Sequence, residues 1–316
     1  MWSWLEELQK LPRDEWEALV LCQSRPSPFL TPQFLIPWCD AFASPFLLRI
    51  GLWRLEGRLV GLVAFYQDSA GRWELCGGQD VADRLDALVE PGLESQFWSE
   101  FYAIASGWKA PLRFPNVAED SALLTHLPDS GWEKLQTDSS PFLRLPQNFE
   151  DYLGGLSKKN RHEVRRKLRR AEDAVTFESV TEPAAVRRRL VDFIRLHRRS
   201  LPDKSDFMTG AMERFFVAMT GNFADRGQIR IGFLSAGDEA IASMLQFDFA
   251  GSLHLYNSGY NPDFAHLSPG VVVLAHCIRE AIQLQRSEFD FLRGTERYKY
   301  DLGGIDRGVF RVDVQP

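Results

Sequence analysis

Apolar positions in this chain follow two periods, and the change from one to the other marks the elements. Between Gln228 and Gly259 three runs, about 228–235, 240–249 and 253–259, alternate or are wholly apolar, with Ala236-Gly237-Asp238 and Ala250-Gly251-Ser252 between them. Runs of this length bounded by small turn residues predict three strands in a meander. On either side the period is helical. Met212, Phe215, Phe216, Met219 and Phe223 fall on one face after Thr209, a natural N-cap. Val271, Leu274, Ile278, Ala281 and Ile282 do the same after Ser268-Pro269, which predicts a helix over 269–285. A strand at 175–180, a helix from Glu182-Pro183 to about Ser200, a strand at 288–292, a short helix or turn and a last strand near 308–313 complete the second half. The order is β-α-α-β-β-β-α-β-α-β. The sheet is mostly antiparallel, but the β-α-β unit over 253–292 forces one parallel pair.

The meander has an echo. RIGLWRLEGRLVGLVAFYQDSAGRWEL begins at Arg49 and RIGFLSAGDEAIASMLQFDFAGSLHL at Arg230, each with a strand, a small turn ending in Gly71 or Gly251, and another strand. We read a duplicated domain: residues 1–145 as an N-terminal copy and 146–316 as a C-terminal copy, with the crossing in 137–157. The segment 12–38 is punctuated by proline and reads as helices joined by turns. Cys76-Gly77-Gly78-Gln79-Asp80 is Gly-rich, but no helix ready to receive phosphate follows it, so the first copy is expected to be non-catalytic or to face the acceptor.

Composition narrows the class without naming a function. The 316 residues are 45% hydrophobic and 25% charged, with four scattered cysteines and no CxxC spacing. Zinc or a disulfide framework is not expected. No run of 18 apolar residues occurs, and the start lacks a basic and then apolar leader; both point to a cytoplasmic protein without a membrane span. The net charge of −6 is unevenly spread. Residues 1–150 hold 12 Lys+Arg against 21 Asp+Glu, whereas 151–316 hold 25 against 22. Eight cations crowd 158–170 (Lys158, Lys159, Arg161, Arg165, Arg166, Lys167, Arg169, Arg170), over a narrow apolar stripe of Val164, Leu168 and Ala171. Such a face is either solvated or grips an anion, and it lacks the interleaved aromatics of a dedicated nucleic-acid surface.

Titratable groups are densest in EFDFLRGTERYKYDLGG, 288–304. Asp290 lies between Phe289 and Phe291 on the short strand and points to the opposite face, toward a site or toward Arg293. His254 and Tyr256 share a face of strand 253–259, and Asn257 or Ser258 can add a side-chain donor. His254, Asp248, Asp290 and Glu296 are the candidate general bases.

These pieces carry a resemblance. SKKNRHEVRRKLRRAED (157–173), YNSGYNP (256–262), LSPG (267–270) and FDFLRGTERYKYDLG (289–303), with LVGLVAFY and LCGGQDVADRLDALVEPG in the first half, resemble the GNAT acyltransferase superfamily. Within it they are most similar to the CelD/BcsL-type acetyltransferases of cellulose biosynthesis, relatives of the FemABX aminoacyltransferases. The resemblance implies an α/β fold of two tandem GNAT-like domains, each a mixed, mostly antiparallel sheet flanked by helices. It also implies transfer of an acyl group from acyl-CoA to an amine or hydroxyl, such as an amino sugar or envelope precursor. The donor would meet His266, Leu267, Ser268, Pro269, Gly270 and Val271 at a helix start, helped by Arg293. Tyr298 would act as leaving-group acid, and Lys299 would hold phosphate or developing negative charge. The family's glycine-rich loop is reduced here to the single Gly270, which leaves fewer backbone donors for close approach. Two other functions fit the same residues: an aminoacyl-tRNA-dependent transferase using the basic helix, and an idle scaffold.

Overall fold

The computed structural model describes residues 1–43, 46–128 and 130–315. In chain order the first elements are β1 (Trp2–Leu5), α1 (Arg13–Leu21), α2 (Pro32–Trp38), β2 (Leu48–Leu55), β3 (Arg58–Gln67), β4 (Trp73–Leu75), β5 (Leu88–Val89), α3 (Glu94–Ala105), β6 (Leu112–Ala118), α4 (Ala122–Thr125) and β7 (Trp132–Ser139). Then come β8 (Phe142–Arg144), α5 (Phe149–Gly155), α6 (Lys158–Ala171), β9 (Thr176–Val180), α7 (Pro183–Ser200), α8 (Pro202–Phe207), α9 (Gly210–Ala224), β10 (Ile229–Ala236), β11 (Glu239–Phe249), β12 (Ser252–Tyr260), α10 (Pro269–Gln283), β13 (Glu288–Asp290), α11 (Arg297–Asp301) and β14 (Gly308–Val314). Among the described residues no helix is long and apolar enough to cross a membrane.

The fold is mixed α/β with two mixed sheets flanked by helices. One sheet runs β1-β2-β3-β4-β6-β14-β7, with β5 added to β3, and the other runs β8-β13-β12-β11-β10-β9. The two share a plan. In the first sheet the meander β2-β3-β4 ends in a parallel pairing of β4 with β6, and in the second β10-β11-β12 ends in a parallel pairing of β12 with β13. The repeat expected at Arg49 and Arg230 therefore lies on matching strands, β2 and β10.

Two compact units divide the chain: Met1–Ser139 with Arg307–Pro316, and Ser140–Asp306. This corrects the expected assignment of the chain's end. β14, read as the last strand of the second domain, pairs between β6 and β7 in the first sheet. β8, at 142–144, instead joins β13 in the second. An apolar alternation specifies a strand but not its neighbour, because pairing partners are chosen by long-range packing.

In the second unit the principal core lies around α10. Val273, Leu274, Ile278 and Ala281 pack on Leu253, Leu255, Phe289 and Phe291, with Val164 and Ala171 of α6 on the outside. Each buried Val, Leu, Ile or Phe among them contributes about 1.5–3 kcal/mol. α7 packs on β12, where Gly259 lets the α7 backbone come so near that a Cβ would fall on Leu196 and His197.

Candidate functional site

The parallel pairing that positions the site is short. β12 and β13 match only from Ser252↔Glu288 to His254↔Asp290. β13 stops there, while β12 runs on to Tyr260. Just beyond, Leu292 takes a left-handed backbone (φ 58°), a conformation a branched side chain rarely adopts, and Gly294 follows at φ 115°. The chain thus turns away, and among the described residues no strand pairs with the edge of β12 that faced β13 from Leu255 onward. A bulge lies at the same level: Leu245 faces Asn257 and Gln246 faces Leu255, so Tyr256 is the extra residue. Bulges re-aim the strand that carries them. The result is a wedge in the sheet, closed at His254 and Asp290.

α10 packs against both β12 and β13. Ser268 precedes the helix in left-handed conformation (φ 53°) and its side chain caps nothing, while its carbonyl accepts from the N–H groups of Val271 and Val272. Pro269 has no N–H to lose, and Gly270, one residue on, has an amide with no helical carbonyl to meet. Open space adjoins Gly270: an added Cβ would touch nothing within 4 Å. Leu267 and Pro269 are buried, His266 is exposed, and Ser268, Gly270 and Val271 are half-buried. The side chains of Leu267 and Pro269 therefore serve packing, and the helix start offers backbone.

A cavity of about 380 Å³ brings this helix start together with α11: Val271 and Tyr298 line it, with Lys159, Lys167 and Arg297 as its cations. Tyr298 is half-buried, and burial together with the charge on Glu296 pushes its hydroxyl well above the usual tyrosine range. The hydroxyl therefore stays protonated and able to donate near neutral pH.

The other expected residues fall into different places. Lys299 is 2% exposed, and its ammonium donates to the carbonyls of Leu292 (3.0 Å), Arg293 (2.7 Å) and Gly294 (3.1 Å), with Glu296 Oε2 at 3.0 Å. Its three donors are used, so it staples the turn after β13 instead of presenting charge to a phosphate. Half-buried Arg293 lies on that stapled turn and supplies one of its carbonyls. Tyr256 packs its ring against Phe216 (5.6 Å) and Phe247 (5.0 Å). Asp248, opposite Leu253 and so just beyond the closed end of the wedge, is held by Arg230 (2.9 Å) and Arg286 (2.7 Å) in an ion cluster. His254 and Asp290 do meet. Asp290 Oδ1 accepts from Ser140 Oγ (3.3 Å) and the Leu292 N–H (2.8 Å), and Oδ2 lies 3.8 Å from His254 Nδ1. His254 is 8% exposed, and among the described residues neither ring nitrogen has a hydrogen-bond partner.

Two residues at the wedge escaped the sequence reading. Lys204, on α8, donates to Ser258 O (2.5 Å) and Ser258 Oγ (3.4 Å). Burial lowers its ammonium to about 8, with Glu296 opposing. His197 is 1% exposed, bonds Asn257, and is lowered to about 4 by burial and then by Lys204. Val186, Leu190, Phe193 and His197 recur at helical spacing, a signal that sets His197 on the buried face of α7. α8 follows the Leu201-Pro202 break and is too short to show a period.

Residues 158–300 match the family model for the acetyltransferase (GNAT) domain. The stretch takes in α6, the wedge, α10 and most of α11, so the part of the chain that builds the site is the part the family describes. Among solved structures, the chain is similar to FemX (12% identity, 98% of this chain and 96% of that one, TM-score 0.69). It is also similar to the C-terminal domain of a putative lysylphosphatidylglycerol synthetase from Agrobacterium fabrum (13%, 96% and 91%, TM-score 0.64). A tandem GNAT protein from the clavulanic acid biosynthesis pathway matches over 99% of this chain and 98% of its own (12% identity, TM-score 0.52). At these identities the likeness is one of fold, the tandem GNAT type. No curated protein matches the sequence.

Proposed function

We propose that the second unit is an acyltransferase that takes an acyl group from acyl-CoA and passes it to an amine or hydroxyl. The observation that carries this reading is that Val271, in the first turn of α10, and Tyr298 line one cavity, on a helix that packs against the two strands, β12 and β13, whose parallel pairing ends at His254 and Asp290. The residues suit the donor. The Gly270 amide and the positive end of α10 suit a pyrophosphate, with Lys159 as counter-charge, while Lys167 and Arg297 line the cavity paired to Glu163 and Asp301 (3.6 Å each). The edge of β12 beyond His254, which no described strand pairs, is the place where backbone donors meet the oxygen of a polarised carbonyl. Tyr298 holds a proton that a departing thiolate can take. His254, closed in with Asp290 at the root of the wedge, is the group we assign to proton removal from the acceptor.

Acetyl-CoA at a hundred times its Kd should raise the melting temperature by about 5 °C or more. Gly270→Val should leave the unliganded melting temperature close to wild type, because the space beside Gly270 is empty, and should abolish the shift by covering the amide. Well-folded wild type that no CoA thioester stabilises would overturn the reading.

A second donor fits the same wedge. Lys158, Lys159 and Arg169 carry no ion pair among the described residues, and such free cations on α6 suit an aminoacyl-tRNA. Stabilisation by charged tRNA, steeply weakened by salt, with none by CoA, would favour it.

A further inference from the structure

The Lys204 side chain reaches the wedge from outside the elements that form it. α8 is a single short helix, inserted between the α7 helix and Thr209 and bounded by Pro202. From it the ammonium extends to Ser258, which lies past the bulge on the stretch of β12 that β13 has left. It donates to the backbone oxygen and the hydroxyl of Ser258, and it feels the carboxylate of Glu296 on the turn stapled by Lys299. A strand-edge carbonyl on one side and a carboxylate on the other are the contacts that a protonated primary amine arriving as acceptor would need. Exposed lysines such as Lys158 and Lys159 have neither.

We propose that Lys204 occupies the acceptor position and is itself acylated by a thioester bound at α10. This inference rests on the acyltransferase reading and adds to it a modification site and an acceptor class, the unhindered primary amine. The step balances without another reactant. The ammonium first releases one proton. The Nζ lone pair then forms the bond to the thioester carbonyl carbon, the carbon–sulfur bond breaks, and the second proton leaves with the thiolate as free thiol. The product is an amide on Lys204. Acylation would remove the charge facing Glu296 and leave Nζ one N–H for Ser258, where the ammonium gives two, so the modified α8 would be held to β12 more weakly.

Wild-type protein incubated with acetyl-CoA, then examined by intact mass and peptide mapping, should carry one acetyl group on Lys204. Because the thioester is held at α10 and Lys204 is seated against β12, Lys204 should be modified on the order of a hundredfold faster than the exposed Lys158 or Lys159. Lys204→Arg, which keeps charge and reach, should lose that single acetyl group while acetyl-CoA still raises the melting temperature. Gly270→Val should lose both effects. Acetyl phosphate, which lacks the nucleotide, should show no preference for Lys204. If acetyl-CoA stabilises the protein and Lys204 stays unmodified, or reacts no faster than the exposed lysines, the inference fails and the transferase reading stands. If acetyl-CoA neither binds nor acetylates, both fail.

Discussion

His197 sits with its ring beside Phe193 and Phe207, one nitrogen bonded to Asn257 and Nδ1 without a partner. Burial favours the neutral ring, so its pKa falls from 6.5 to about 4 on folding. In that interval the unfolded chain binds the proton and the native one does not, so stability rises with pH. The contribution, about 3 kcal/mol at most, is complete above pH 6.5 and is lost as pH falls toward 4. Urea unfolding across this range should show a slope in free energy that His197→Leu flattens by about one proton. Residue types near the wedge were legible in the sequence, but their partners were not. Lys299 stood out in the YKY run, yet nothing in its spacing shows that its ammonium folds back onto three carbonyls. His254 and Asp290 were marked by strand alternation, which needs only their own neighbours.

At the scale of elements, the period in the sequence located the meander β10-β11-β12 and the helices α7, α9 and α10 within a few residues. Each is long enough to repeat its own pattern. It did not resolve α8 or β8, which are one or two turns of chain with no period to read. The bulge at Tyr256 was also invisible, because an inserted residue changes register only against a partner strand. Gly259 was visible as part of YNSGYNP, but its purpose appears only with α7 in place. A methyl group there would meet α7 backbone, not a movable side chain. Gly259→Ala should therefore push α7 and its His197 away from β12. We expect a loss of about 3 kcal/mol or more, in the range of severe overpacking, read by thermal unfolding, with early exchange of the amides of α7.

For the whole molecule, the duplication was legible in the sequence but the crossing of its last strand was not. The two runs beginning Arg-Ile-Gly are local and alike. That β14 belongs between β6 and β7 depends on segments more than 150 residues earlier. Arg113 Nε lies 2.6 Å from Asp313 Oδ1, and the Gly308 amide donates to Glu119, which fix this strand in the first sheet. A chain ending at Asp306 should keep the second unit's strands protected from hydrogen exchange and lose protection in β6 and β7, whose facing edges would be bare. Equal protection in both sheets would show that β14 is dispensable.

That strand also bears on how the chain is made. A ribosome delivers β6 and β7 long before the segment that must slot between them, while residues 140–306 emerge as one unbroken piece. The portion synthesised first is therefore the portion finished last. Until β14 emerges its sheet waits with a gap, and that interval is when a chaperone or a neighbouring nascent chain has most to act on.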